Sequence, residues 1–179
     1  MNIELIIPEL TLVVFAVIVI LLDLFIQRKG SLVIVSIIGL VVAAGVTIAM
    51  WGSGSRVIFN GMLAVDSFAL FFKLIFLAIA FLVILASVDY VSKFARFQGE
   101  YYTLVLLSTL GMMLMAATSE LISIYVALEL TSIPLYILVG FLKDPKSTEA
   151  SLKYLLLGAM SSAVLLYGMA LIFGFTGKT

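Results

Sequence analysis

The chain has 179 residues, 64% of them hydrophobic against the roughly 45 to 50% of a soluble domain, and so reads as an integral membrane protein. Ten basic and ten acidic residues cancel, which removes the global field that would draw a nucleic acid or an anionic surface. There is no cysteine and no histidine, so thiolate metal sites, disulfides, imidazole ligation of haem and histidine proton shuttles are excluded, and proton chemistry must use Glu, Asp, Lys or Tyr.

In chain order, the first apolar run predicts a span over about 5–26, with Pro8 near its start, where proline is tolerated, and Glu9 and Asp23 near the interfaces at its two ends. No basic segment precedes it, and it is too long for the apolar core of a cleavable signal, so it is expected to be retained as a helix. Residues 27–30 form a basic turn. A second, uncharged span follows over 31–51, closed by Trp51 at headgroup level. Residues 52–61 carry the glycines and serines of an external loop.

Asp66 or Ser67 is placed to cap a third span over 67–88. Lys73 lies about two turns inside it and is expected to snorkel toward the surface past Asp66, with a buried functional role as the alternative. After a polar connector, a fourth span covers 101–119, where Met112, Met113 and Met115 read as packing rather than as a metal site.

The fifth span, 121–142, is the informative one, because it carries a single charge, Glu129, near its middle. A carboxylate at mid-membrane costs about 2.5 to 3.5 kcal/mol even on lenient scales, so something must offset it. Tyr125, Glu129, Ser132 and Tyr136 are spaced to form one polar stripe on a helix. Pro134 leaves the carbonyl of Leu130 without its usual donor, which predicts a kink or weak point one turn from the acid. The two readings of Glu129 are helix-packing glue and a group that exchanges protons.

Residues 143–146 break the chain, and Ser147 or Thr148 is placed to cap a sixth span over 151–176. Lys153 sits at its cytoplasmic edge. Gly158 with Ser162, and Ala159 with Ala163, are small pairs four apart that let a neighbouring helix approach, and Ser162 itself reads as packing. The connectors after spans one, three and five hold Arg28, Lys29, Lys93, Arg96, Lys143, Lys146 and Lys153, against Arg56 and Lys178 on the other side. That bias predicts cytoplasmic odd connectors and outer, periplasmic-side termini. The expected fold is an all-α membrane domain of six transmembrane helices.

Two motifs carry a family resemblance: Ala127-Leu-Glu129-Leu-Thr-Ser-Ile-Pro134-Leu-Tyr136, and the run from Glu149-Ala-Ser-Leu-Lys153 through Gly158, Tyr167 and Gly168 to Gly174. Pro8-Glu9, Leu22-Asp23-Leu-Phe25 and Val65-Asp66 through Lys73 agree more weakly. The sequence resembles the antiporter-like membrane subunits of respiratory complex I (NADH-quinone oxidoreductase), the second motif favouring the subunit N group. The resemblance implies the first part of a fourteen-helix proton-translocating fold, with Glu129 matching an essential glutamate of the fifth helix and Lys153 a lysine of the sixth, together a proton relay. It also implies no cofactor or metal on this chain. NADH, FMN, iron–sulfur clusters and quinone would be handled elsewhere in the complex, the partners would be neighbouring membrane subunits and the bilayer, and the location would be the cell inner membrane. The family continues through broken seventh and twelfth helices with further lysines. The lysine it places opposite the glutamate is not among these residues, so the 179 residues alone are expected to be inactive. An antiporter-like subunit of a membrane hydrogenase, of another quinone-linked dehydrogenase or of a cation/proton antiporter is the nearest alternative, and a non-catalytic helical scaffold the more distant one.

Overall fold

The computed structural model describes residues 3–25, 30–52, 54, 56–92 and 97–177. Within them lie six helices long and apolar enough to cross a membrane. They are α1 (Ile7–Phe25), α2 (Gly30–Ala49), α3 (Ser67–Val91), α4 (Gln98–Ala117), α5 (Leu121–Val139) and α6 (Pro145–Thr176). The all-α membrane reading therefore holds, although most helix ends move by a few residues. The basic residues 28, 29, 93, 96 and 178, which carry much of the orientation argument, lie outside the described residues.

Local chemistry explains the helix starts. Asp66 caps α3 by accepting the Ala69 N–H at 2.8 Å. At α6 the cap is Asp144 rather than Ser147 or Thr148: its carboxylate accepts the N–H groups of Lys146 and Ser147, each at 2.9 Å. The reason is Pro145. In the first turn its missing N–H costs nothing and its fixed φ favours the helix, so the residue read as a breaker begins the element. The backbone hydrogen bond from Ser147, followed by the other hydrogen bonds at the cap, holds the Asp144 carboxyl below its ordinary value of 3.8.

The external loop is more ordered than its glycines and serines suggest. Arg56–Ile58 (β1) pairs antiparallel with Leu63–Val65 (β2), with Arg56 opposite Val65. This hairpin sits on Leu5 and Leu70. Its turn is tied to the start of α5: the Ser119 N–H donates to Met62 O at 3.0 Å, and the Ser119 hydroxyl donates to Gly61 O.

Helices α1 to α4 form a bundle in which α1 and α3 each pack on α2 and on α4. Leu12, Leu32, Leu40, Ile84, Leu106 and Met113 fill its interior. Met113 thus takes the packing role assigned to the methionine cluster. In lipid there is little hydrophobic gain in bringing helices together, so close approach and interhelical hydrogen bonds matter more. Helix α5 packs on the outer flank of α4 in this way. A methyl group at Gly111 would lie 2.6 Å from the Thr131 backbone nitrogen, and the Ser108 hydroxyl donates to Thr131 O at 3.1 Å.

The expectation about Lys73 is corrected. Lys73 does not snorkel: it is buried together with Glu9, and the two form an ion pair with Nζ 2.6 Å from Oε1. Snorkelling is unnecessary when a carboxylate is in reach, and Asp66, the group it would have passed, is occupied by its own helix.

Candidate functional site

Glu129 lies on α5 where that helix meets α6, and it is partly buried. The stripe expected on α5 does face α6 at three of its four positions. Tyr125 lines a pocket with Leu166, Ala170 and Phe173 of α6. Glu129 meets Ser162, whose hydroxyl donates to Glu129 Oε1. The Tyr136 ring lies on Gly158 and packs edge-on against Tyr154, with ring centroids 4.8 Å apart at 86°. Ser132 departs from the pattern, because its hydroxyl is spent on Leu128 O one turn back.

Ser162 is the partner of Glu129 that sequence reasoning passed over. Its position four after Gly158 was legible as a small-residue face, which is correct, since Gly158 admits Tyr136. What the pattern lacked was the register of α5 against α6, which sets Glu129 opposite Ser162. A second bond fixes that register one side chain further on: the Ser151 hydroxyl donates to Tyr136 O at 2.7 Å.

Helix α5 runs unbroken through Pro134. The turn that Pro134 deprives of a donor contains Leu130, and Gly111 of α4 is the residue packed against it: a Cβ there would sit 2.9 Å from the Leu130 carbonyl carbon. The expected weak point is therefore braced from the α4 side while Glu129 faces α6.

Lys153 is not brought to Glu129. It bonds Glu149, one turn back on its own helix, with Nζ 2.5 Å from Oε1 and the two side chains 70% and 65% exposed. Lys153 precedes Ser162 by nine positions, about 13 Å along the helix axis. Tyr136 and Tyr154 lie between the two levels. Direct proton transfer from Lys153 to Glu129 is thus too long for one step, and only the glutamate sits inside the helix interface.

No group of three or more Asp or Glu side chains that could hold a metal ion occurs among the described residues. The site is an acid clasped by a hydroxyl between two antiparallel helices long and apolar enough to span a membrane, beside a four-helix bundle.

Comparison with known proteins agrees. Residues 118–179, from the start of α5 onward, match the transmembrane family described as NADH:quinone oxidoreductase/Mrp antiporter. Over 177 residues the chain is 50% identical to NADH-quinone oxidoreductase subunit N of Dehalococcoides mccartyi, covering 98% of this chain and 36% of that protein. It superposes on a chain of respiratory complex I from Thermus thermophilus, solved with bound aureothin, at a TM-score of 0.81 and 35% identity, covering 96% of this chain and 37% of that one. A membrane-bound sulfane sulfur reductase, an archaeal respiratory membrane complex, has a chain of the same fold with a TM-score of 0.81 and 28% identity. Over nearly its whole length the chain is thus similar to NADH-quinone oxidoreductase subunit N proteins, and over its last third to the transmembrane family named above. It spans a little over a third of the length of the curated relatives it matches.

Proposed function

We propose that the chain is the first part of a membrane-arm subunit that couples electron transfer from NADH to quinone to proton translocation, with Glu129 as its proton-exchanging group. The observation that carries this reading is the Ser162–Glu129 hydrogen bond across the α5–α6 interface. It gives the acid one polar partner inside the membrane and leaves a second oxygen to take or give a proton. Lys153, near the cytoplasmic end of α6, passes protons toward that level through intervening groups rather than by contact.

These 179 residues supply no thiolate or imidazole ligand for an iron–sulfur cluster, and the clusters, FMN and quinone chemistry are assigned, as part of this reading, to other subunits. Other membrane subunits and lipid surround it in the cell inner membrane, with the connectors after α1, α3 and α5 on the cytoplasmic side, the side favoured by the basic bias. A second reading, an equivalent subunit in another respiratory membrane complex, is favoured by the shared fold of the sulfane sulfur reductase.

The test is the order of two substitutions in the complete complex. Glu129→Gln keeps length but cannot ionise, while Glu129→Asp keeps the charge. The first is expected to lower NADH-driven quenching of a pH-gradient dye in vesicles by roughly tenfold or more at unchanged assembly, and the second to keep a measurable part. Normal quenching by assembled Glu129→Gln would overturn the reading.

A further inference from the structure

A second acid–base pair lies apart from the α5–α6 interface and has no part in the scheme above. Lys73 is 0% exposed and Glu9 3% exposed, with Nζ 2.6 Å from Oε1. Because α1 and α3 each pack on α2 and α4, the lysine reaches the carboxylate across the axis of the four-helix bundle. Helix α2 brings no charged residue to it, and Asp66 is turned to Ala69 N–H. Among the described residues, Glu9 Oε2 has no hydrogen-bond partner, and Lys73 Nζ has none beyond the ion pair itself.

Such a pair is a poor device for stability alone, since well-packed apolar side chains of similar volume usually hold an interior as well or better. Ionisable groups inside a membrane default to function for that reason. The pair's isolation suits one kind of chemistry. A proton moving from Lys73 Nζ to Glu9 Oε1 breaks one N–H bond, forms one O–H bond and converts two ions into a neutral amine and acid, with no other hydrogen bond to be given up. The reverse step restores the ions.

The pair is also connected to the helix that carries Glu129. The hairpin rests on Leu5 and Leu70, one turn before Glu9 and Lys73 respectively. The same hairpin is bonded through Gly61, Met62 and Leu63 to Thr118 and Ser119, which lead into α5. A displacement of α5 therefore reaches the cover of the buried pair through bonded contacts.

We propose that Glu9 and Lys73 form a second internal proton-transfer site, switching between ionic and neutral forms as the hairpin follows α5. The proposal rests on the reading of the chain as part of a proton-translocating subunit. Lys73→Arg keeps the charge and the ion pair but does not release its proton. In the complete complex it is expected to assemble, by native gel, and to lower dye quenching by roughly tenfold. Glu9→Met combined with Lys73→Met removes both charges without leaving one unpaired, and the same loss is expected in an assembled complex.

Normal quenching in either assembled variant overturns the proposal and leaves the pair a packing device. Failure of both variants to assemble overturns it as well, because the pair would then serve to hold the bundle. Glu129→Gln, measured alongside, separates the two ideas. If it alone abolishes quenching, only the inference about Glu9 and Lys73 fails. If it quenches normally, the α5–α6 reading fails whatever the Lys73 variants do.

Discussion

Glu129 shows how one hydroxyl can make a membrane carboxylate tolerable. The cost of about 2.5 to 3.5 kcal/mol for an acid at mid-membrane is matched in scale by a hydrogen bond to a charged group, about 1.5 to 3 kcal/mol. Ser162 supplies that bond. The acid was legible from sequence because a lone charge in an apolar run is conspicuous. Its partner was not, because a serine among small residues looks the same whether it packs or donates. Lys153 poses a different question, since at 70% exposure with Glu149 beside it the side chain can serve as an interface anchor. Arginine anchors equally well but keeps its proton. Lys153→Arg in the complete subunit is expected to reduce proton translocation several-fold while NADH-binding and assembly stay normal. Unchanged dye quenching would return Lys153 to the anchor role.

At the scale of the helices, the α5–α6 interface depends on Gly158. A Cβ there would sit 2.0 Å from the Tyr136 hydroxyl and 2.6 Å from its ring carbon Cζ, so the ring must move to admit it. That displacement acts one turn from Ser162. Gly158→Ala is therefore expected to weaken the Ser162–Glu129 contact and lower translocation several-fold, and Tyr136→Phe in the same chain, by removing the hydroxyl, should restore part of it. No recovery in the double variant would show that the glycine matters for another reason. The sixth helix was otherwise readable from its apolar run, but its first residue was not. The stretch from Pro145 to Lys153 is polar because α6, at 32 residues and about 48 Å, outruns a hydrocarbon core of about 30 Å. Polar residues there signal protrusion rather than a break. The hairpin was illegible for a related reason. Strands of three residues are too short to show alternation, and what fixes them is contact with Leu5, Leu70 and Ser119, remote in sequence.

At the scale of the whole molecule, α1 to α4 form a closed bundle, α5 leans on it, and α6 rests on α5 with its apolar side chains largely exposed. Hydropathy was enough to foresee the six helices and the fold class. It could not show which helices touch, so the burial of Glu9 with Lys73 and the facing of Glu129 by Ser162 needed the tertiary arrangement. The layout sets Glu129 at a two-helix seam, with the α1–α4 bundle on one side and, on the other, the helix that clasps it. Whether Glu129 changes protonation state in turnover can be read directly by infrared difference spectroscopy of the complete complex, comparing resting and NADH-driven states. A carboxylic acid C=O band should appear or vanish on turnover, disappear in Glu129→Gln, and move to higher frequency in Ser162→Ala as the hydrogen bond is lost. A difference spectrum with no band assignable to Glu129, in a complex that translocates protons normally, would contradict the role given to it here.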